Sequence, residues 1–314
     1  MIGTGLDRRL LAVPALVLAL AALLGYLAGH RHASPAPKEQ PLTASAGGVL
    51  LNVPAQWRPA SVSQVIPGFA VRRAIALGPG GSTAEAGLLA GVLPPGQSTP
   101  LPTQLLARSR QRPTTAVVSL EEAQAYRYTG FSIAGFDKDL TVFVIPSPGG
   151  NSTTLACFAT PALSADLRAC QRSVLTLTLA GRSQTYDLTP QPEYAQRLSA
   201  SISALDAERT VLRAHMGTGA TPRGQERLAG RLAHAFARAA AALSGLESTL
   251  ATGQAQSALS GAIGQARAAY AALAAAAGQR NEAAFAAARA QVDRAEAGVD
   301  AALEGFALLG YKLV

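Results

Sequence analysis

Residues 10–29, LLAVPALVLALAALLGYLAG, run for twenty positions without a charge, between Asp7-Arg8-Arg9 and His30-Arg31-His32. At about 1.5 Å per residue a helix of this length is about 30 Å long, the hydrocarbon thickness of a bilayer. The alternative is a cleavable signal peptide, whose apolar core usually runs about 7–15 residues before a small-x-small cleavage site. Here a cut after Ala33 would put Arg31 at the third position back, and a cut after Gly29 would put Leu27 there. Neither is small, so the expectation is a retained signal anchor. Pro14 falls near the start of the span, where a missing N–H does least harm.

Basic residues flank both ends of the segment, so the positive-inside count is close to a tie. A short tail ahead of a long polar region usually stays in the cytosol. The expected topology is therefore a single-pass cell-membrane protein with a cytoplasmic tail at 1–9, an anchor at 10–29 and extracytoplasmic domains. Residues 30–46, rich in Pro, Ala and Ser, read as a flexible linker.

The cysteines bear on the same question. The only two, Cys157 and Cys170, are expected to form a disulfide closing a short loop, as a compartment beyond the membrane permits. The alternative is two buried thiols. The net charge of +8 is spread along the chain, and only three of its 27 basic residues are lysines. No stacking aromatics sit among the arginines, so no nucleic-acid partner is expected.

From Gly47 the texture changes. Runs of β type occur at 48–53, 69–77, 86–93, 116–119, 123–131, 140–145, 153–158 and 174–179, separated by Gly, Pro, Asn and Asp. The runs at 141–145 and 153–159 are expected to pair as a hairpin, and 101–110 and 162–172 have helical spacing. This describes an α+β domain over 47–182, an antiparallel sheet with covering helices. In order along it stand Val53-Pro54-x-x-Trp57, Ala86-Gly87-Leu88 with Gly91, Ala125-Tyr126-x-Tyr128, residues 141–146 and Ala156-Cys157. That series resembles actinobacterial envelope proteins of the Mog1/PsbP-like type. The resemblance implies an antiparallel sheet between helices, and binding or adaptor work without a shared catalytic motif.

After Pro192 the period switches to helical, and four helices are expected over about 193–216, 222–251, 255–277 and 281–307. The last carries Phe285, Val292, Val299 and Phe306 every seven residues, with Ala288, Ala295 and Ala302 between them, as in a coiled-coil seam. The second is expected to bury Leu228, Leu232, Ala235, Ala239, Ala242 and Leu246. Short connections make neighbours antiparallel, giving an Ala-rich helical bundle over 193–314. Alanine buries little apolar area, so the bundle is expected to lean on the β domain or on another chain. Self-association through the bundle is the sharper form of that expectation.

Chemistry is sparse. A Ser-His or Cys-His site needs a histidine beside the nucleophile, and the four histidines, His30, His32, His215 and His234, all lie outside 47–182. Glu121-Glu122 and Asp137-Lys138-Asp139 read as turns, and neither a phosphate loop nor a dinucleotide fingerprint is present. No catalytic residue, metal or cofactor is expected, and the chain is not expected to be an enzyme. Trp57, Tyr126 and Tyr128 are the candidate ligand-contact or packing residues. Arg108, Arg110 and Arg112 form the densest basic group and are candidates for contact with anionic headgroups or an acidic partner. The leading functional expectation is a non-catalytic membrane-anchored adaptor or assembly protein of the cell envelope, with an envelope protein as partner. The alternative is an ectodomain that binds a small molecule or lipid in its α+β domain.

Overall fold

The computed structural model describes residues 42–46, 48–62, 65–94, 99–147, 151–179, 187–217 and 221–313. The expected tail at 1–9, the anchor at 10–29, His30, His32 and the linker through residue 41 lie outside the described residues. Among the described residues no helix is long and apolar enough to cross a membrane.

The α+β class and the antiparallel sheets are as the sequence implies, followed by an α-helical region. Seven strands form the main sheet: β3 (Trp57–Ala60), β4 (Arg72–Pro79), β5 (Ala86–Leu93), β6 (Thr114–Ser119), β7 (Gln124–Thr129), β8 (Asp139–Pro146) and β9 (Ser152–Ala159). Their order across the sheet is β3-β4-β5-β9-β8-β7-β6, every pair antiparallel. The expected hairpin is β8–β9, with Thr141 opposite Cys157 and Ile145 opposite Thr153. A smaller sheet joins β1 (Leu42–Ala46), β2 (Val49–Val53) and the two-residue β10 (Thr178–Leu179) in the order β1-β2-β10. Helix α1 (Thr103–Arg108) is a short turn, and α2 (Ser164–Leu175) crosses one face of the main sheet.

Successive residues of the central strands point to opposite faces, and both faces are buried. On one side Trp57, Leu77, Leu88, Phe143, Leu155 and Cys157 pack with Val49, Leu51 and Val53 of β2 and with Cys170 and Val174 of α2. On the other, Leu89, Tyr126, Tyr128, Val142, Val144 and Phe158 belong to one continuous core with the helices that follow. Gly87 shows how tightly this face is filled. It lies opposite Phe158 across the β5–β9 ladder, and a Cβ there would sit 2.8 Å from that ring and 2.9 Å from the Leu77 carbonyl oxygen.

Four helices complete the chain: α3 (Pro192–Gly217), α4 (Pro222–Ser244), α5 (Gly253–Gly278) and α6 (Glu282–Leu308). Thr221 caps α4 by accepting a hydrogen bond from the Gly224 N–H, with Pro222 in the first turn. Asn281 does the same for α6 through the Ala284 N–H. Val292, Val299, Phe306 and the three seam alanines of α6 are buried, and Phe285 is partly so.

Four expectations need correction. Residues 42–46, read as the end of the linker, form β1, because the alternating Leu-Thr-Ala-Ser-Ala completes an edge that β2 leaves open. The run at 174–179 is a strand only at 178–179. Leu167, Cys170, Val174 and Leu177 recur at helical spacing, and α2 continues through Leu175 to bury Cys170 and Val174. Ala242 is exposed, because a straight helix drifts from a strict heptad and turns Phe236 and Leu243 inward instead. Finally, the second helix stops at Ser244 rather than 251. Thr249 and Thr252 there bond each other's backbone N–H, at 2.9 and 3.3 Å, which competes with helical bonding.

Candidate functional site

Trp57, Tyr126 and Tyr128 are all fully buried, but the structure does not bring them together. Trp57 begins β3 and lies in the core beneath α2, with its indole N–H unpaired among the described residues. Tyr126 and Tyr128, two residues apart on β7, lie on the opposite face of the sheet, 6.3 Å between ring centroids.

Tyr128 joins the sheet to the last helix, and Tyr126 joins it to the segment that leads into α3. Tyr128 donates its hydroxyl hydrogen bond to the Leu308 carbonyl at 2.8 Å, and Thr115 donates to the same oxygen at 3.1 Å. Thr115 and Tyr128 are cross-strand partners in the β6–β7 ladder, so one rung of the sheet caps the last turn of α6. Tyr126 donates to the Leu188 carbonyl at 3.3 Å, while the Leu188 N–H donates to Gln124 at 2.8 Å. Burial, and then the neighbouring Tyr126, push the Tyr128 hydroxyl pKa well above its ordinary value. Tyr126 is raised by burial first, then by Tyr311 and Asp187. Both remain neutral donors.

The arginine group is divided by the fold. Arg108 ends α1, Arg110 follows it, and both side chains are exposed. Arg112 is instead engaged within the molecule, in a two-pronged contact with Glu304 of α6, one arm at 2.6 Å. Cys157 of β9 and Cys170 of α2 form the expected disulfide, with 5.8 Å between their Cα atoms.

The helices hold a polar group that the sequence analysis did not single out. Glu296 of α6 is 5 % exposed. Its carboxylate accepts from the Tyr270 hydroxyl of α5 and pairs with Arg213 of α3, while Arg209 pairs with Asp206 at 3.0 Å beside it. Burial, then the Glu296 hydrogen bond and charge, raise the Tyr270 pKa, against the opposing pull of Arg213 and Arg209. The sequence signal was available: Glu296 falls four residues after Val292 and three before Val299, on the apolar stripe of its helix. A cleft of about 370 Å³ opens beside the group, lined by Arg213, Met216, Tyr270, Phe285, Arg289 and Asp293.

Chemically, Tyr270, Glu296 and Arg213 form a satisfied hydrogen-bonded ion pair. It offers neither a nucleophile beside a base nor an open ligand set. Among the described residues no three His, Cys, Asp or Glu side chains are grouped to hold a metal ion. Glu122, one of the adjacent glutamates, accepts a hydrogen bond from the Leu179 N–H at 2.9 Å and ties β10 to the turn before β7.

The sequence matches no family model, and no curated protein is significantly similar to it. Among solved structures, that of cyanobacterial PsbP (CyanoP) from Synechocystis is matched at 10% identity with a TM-score of 0.31, over 48% of this chain and 99% of that one. A crystal structure from Bacteroides thetaiotaomicron is matched at 9% identity with a TM-score of 0.31, over 73% of this chain and 77% of that one. The PsbP likeness is weak, and neither match bears on function.

Proposed function

We propose that the chain is a non-catalytic adaptor or assembly protein of the cell envelope, held by a single-pass anchor at 10–29, with its folded part outside the membrane. Kinship to the actinobacterial Mog1/PsbP-like envelope proteins is part of this reading. The observation that carries it is the filling of both faces of the main sheet. The aromatic residues best suited to grip a ligand, Trp57, Tyr126 and Tyr128, are fully buried in two separate cores. That leaves the outer surface as what the fold offers to other molecules. The Cys157–Cys170 disulfide supports an oxidising compartment.

Two measurements test the reading. Ser257 is exposed on α5, and Ser257→Cys in the full chain should be labelled by a membrane-impermeant maleimide on intact cells. Labelling only after lysis would place the folded part in the cytosol and sink the proposal. Native mass spectrometry of the purified chain should show the protein mass alone. A stoichiometric small molecule or lipid would favour the ligand-binding alternative.

A further inference from the structure

Helices α3 and α6 run antiparallel and are joined at three levels. The rings of Tyr194 and Phe306 lie 6.3 Å apart between centroids, Arg209 reaches Asp300 at 3.7 Å, and Arg213 pairs with Glu296. Beyond that last pair the two lengths do not match. α6 extends back from Glu296 to its start at Glu282, whereas α3 goes on only from Arg213 to Gly217. The shortfall is about ten residues, roughly 15 Å of helix. Over that length α3 does not cover the seam of α6, and the cleft of about 370 Å³ opens there. Its apolar lining is Met216 of α3, Leu273 of α5, and Phe285 and Val292 of α6.

Polar groups converge on the same cleft. Glu296 is buried; one carboxylate oxygen accepts from the Tyr270 hydroxyl and the other from Nη1 of Arg213. A guanidinium has five N–H donors, and Arg213, its side chain 48% exposed, lines the cleft with those that Glu296 leaves over. The buried carboxylate thus fixes a cation in the wall. Arg289 and Asp293, one turn apart on α6, line it too. Both are exposed, and neither joins a salt bridge among the described residues. Gln225 of α4 adds an amide. Such a set is complementary to one ligand that carries an anion, an N–H donor and an apolar group.

We infer that this cleft binds the α-carboxylate end of an apolar amino-acid residue, with the carboxylate on Arg213 and Arg289, the N–H toward Asp293 and the side chain over Leu273 and Phe285. An anion without a donor would leave the Asp293 carboxylate opposing it. A purely apolar molecule would desolvate the guanidiniums without replacing their hydrogen bonds to water. A free apolar amino acid and the C-terminus of a polypeptide share this chemistry. The adaptor reading favours the chain end, and the inference rests on that reading for its source alone. Binding to the purified chain is indifferent to the compartment, so the two can fail separately.

The test uses the full chain in detergent micelles and a fluorescein-labelled peptide ending in Ala-Leu with a free carboxylate. Its anisotropy should rise to saturation with protein concentration. The same peptide ending in an amide should bind about tenfold more weakly. Arg289→Met, on an exposed side chain, should leave the circular dichroism unchanged and weaken the free-acid peptide by about the same factor. Unlabelled competitors then separate the sources, since leucine carries an ammonium where N-acetyl-leucine carries an amide N–H. Stronger displacement by N-acetyl-leucine supports a chain end, and stronger displacement by leucine supports the free amino acid. Absence of saturable binding overturns the inference, as does equal binding of acid and amide or binding indifferent to Arg289→Met. Binding that persists while the Ser257→Cys label places the chain in the cytosol sinks the compartment and leaves the site standing.

Discussion

Removing both hydroxyls that cap α6 should destabilise the protein by more than the sum of the single losses. Leu308 is the last residue of that helix, so its carbonyl has no partner one turn on. It is served instead by Tyr128 at 2.8 Å and Thr115 at 3.1 Å, from neighbouring strands. Tyr128→Phe or Thr115→Val alone removes one bond and leaves the other, which costs about 1 kcal/mol. The double variant leaves a carbonyl without a partner between the sheet and the helix, adding a desolvation penalty of about 1–3 kcal/mol. The double-mutant cycle should therefore return a coupling of at least about 1 kcal/mol. Equilibrium urea unfolding followed through Trp57 suits the measurement. It is the only tryptophan, and it is fully buried on the far face of the sheet. Its signal then also reports whether the sheet melts together with the helices. Additive losses would mean that water reaches the carbonyl, and the sealed junction inferred here would be wrong.

Cys157→Ala with Cys170→Ala opens a loop of 13 residues' separation and should cost about 3 kcal/mol by chain entropy, read as a lower urea midpoint. Gly87→Val should cost about 1–3 kcal/mol, since its side chain would collide with the Phe158 ring and the Leu77 carbonyl; thermal melting checks it. Arg213→Met should destabilise more than Arg112→Met. The carboxylate left behind is 7% exposed in the first case and 35% in the second, which predicts about 1–2 kcal/mol against less than about 1 in parallel melts. Tyr194, raised to about 12 by burial and by Tyr311 and lowered in part by a Thr252 hydrogen bond, binds its proton more tightly folded than unfolded. Its contribution to stability should be complete below pH 10.0 and vanish as pH rises through about 12, visible as tyrosinate absorbance appearing together with unfolding.

Much of this architecture is legible locally. The nearly continuous apolar run of β9, Thr-Leu-Ala-Cys-Phe-Ala, already describes a strand buried on both faces. The seam of α6 follows from its seven-residue spacing. What is not legible depends on partners distant in sequence. β1 has too little apolar content to declare itself and exists because β2 accepts it. Trp57 and the two tyrosines look alike in sequence, and only the strand order sends them to opposite faces. Thr115 and Leu308 carry no mark of each other across 193 positions. Glu296 is the opposite case, since its place on the apolar stripe of α6 is readable from its spacing to Val292 and Val299, while its partners Tyr270 and Arg213 lie on other helices.

The capping of α6 has a consequence in time. Tyr128 precedes its acceptor by 180 residues, and a ribosome adding about 5–20 residues per second needs roughly 9–36 s to make that stretch. The two faces of the sheet therefore mature on different clocks. The face beneath α2 is finished soon after Cys170 emerges, since both halves of its clasp are made almost together. The face bearing Tyr126, Tyr128, Val142 and Val144 is completed only when the last helix arrives. A premature stop that removes only the final turn of α6 would leave every strand of the main sheet translated and the Tyr128 and Thr115 hydroxyls without their acceptor. The early part of this chain is hostage to its end.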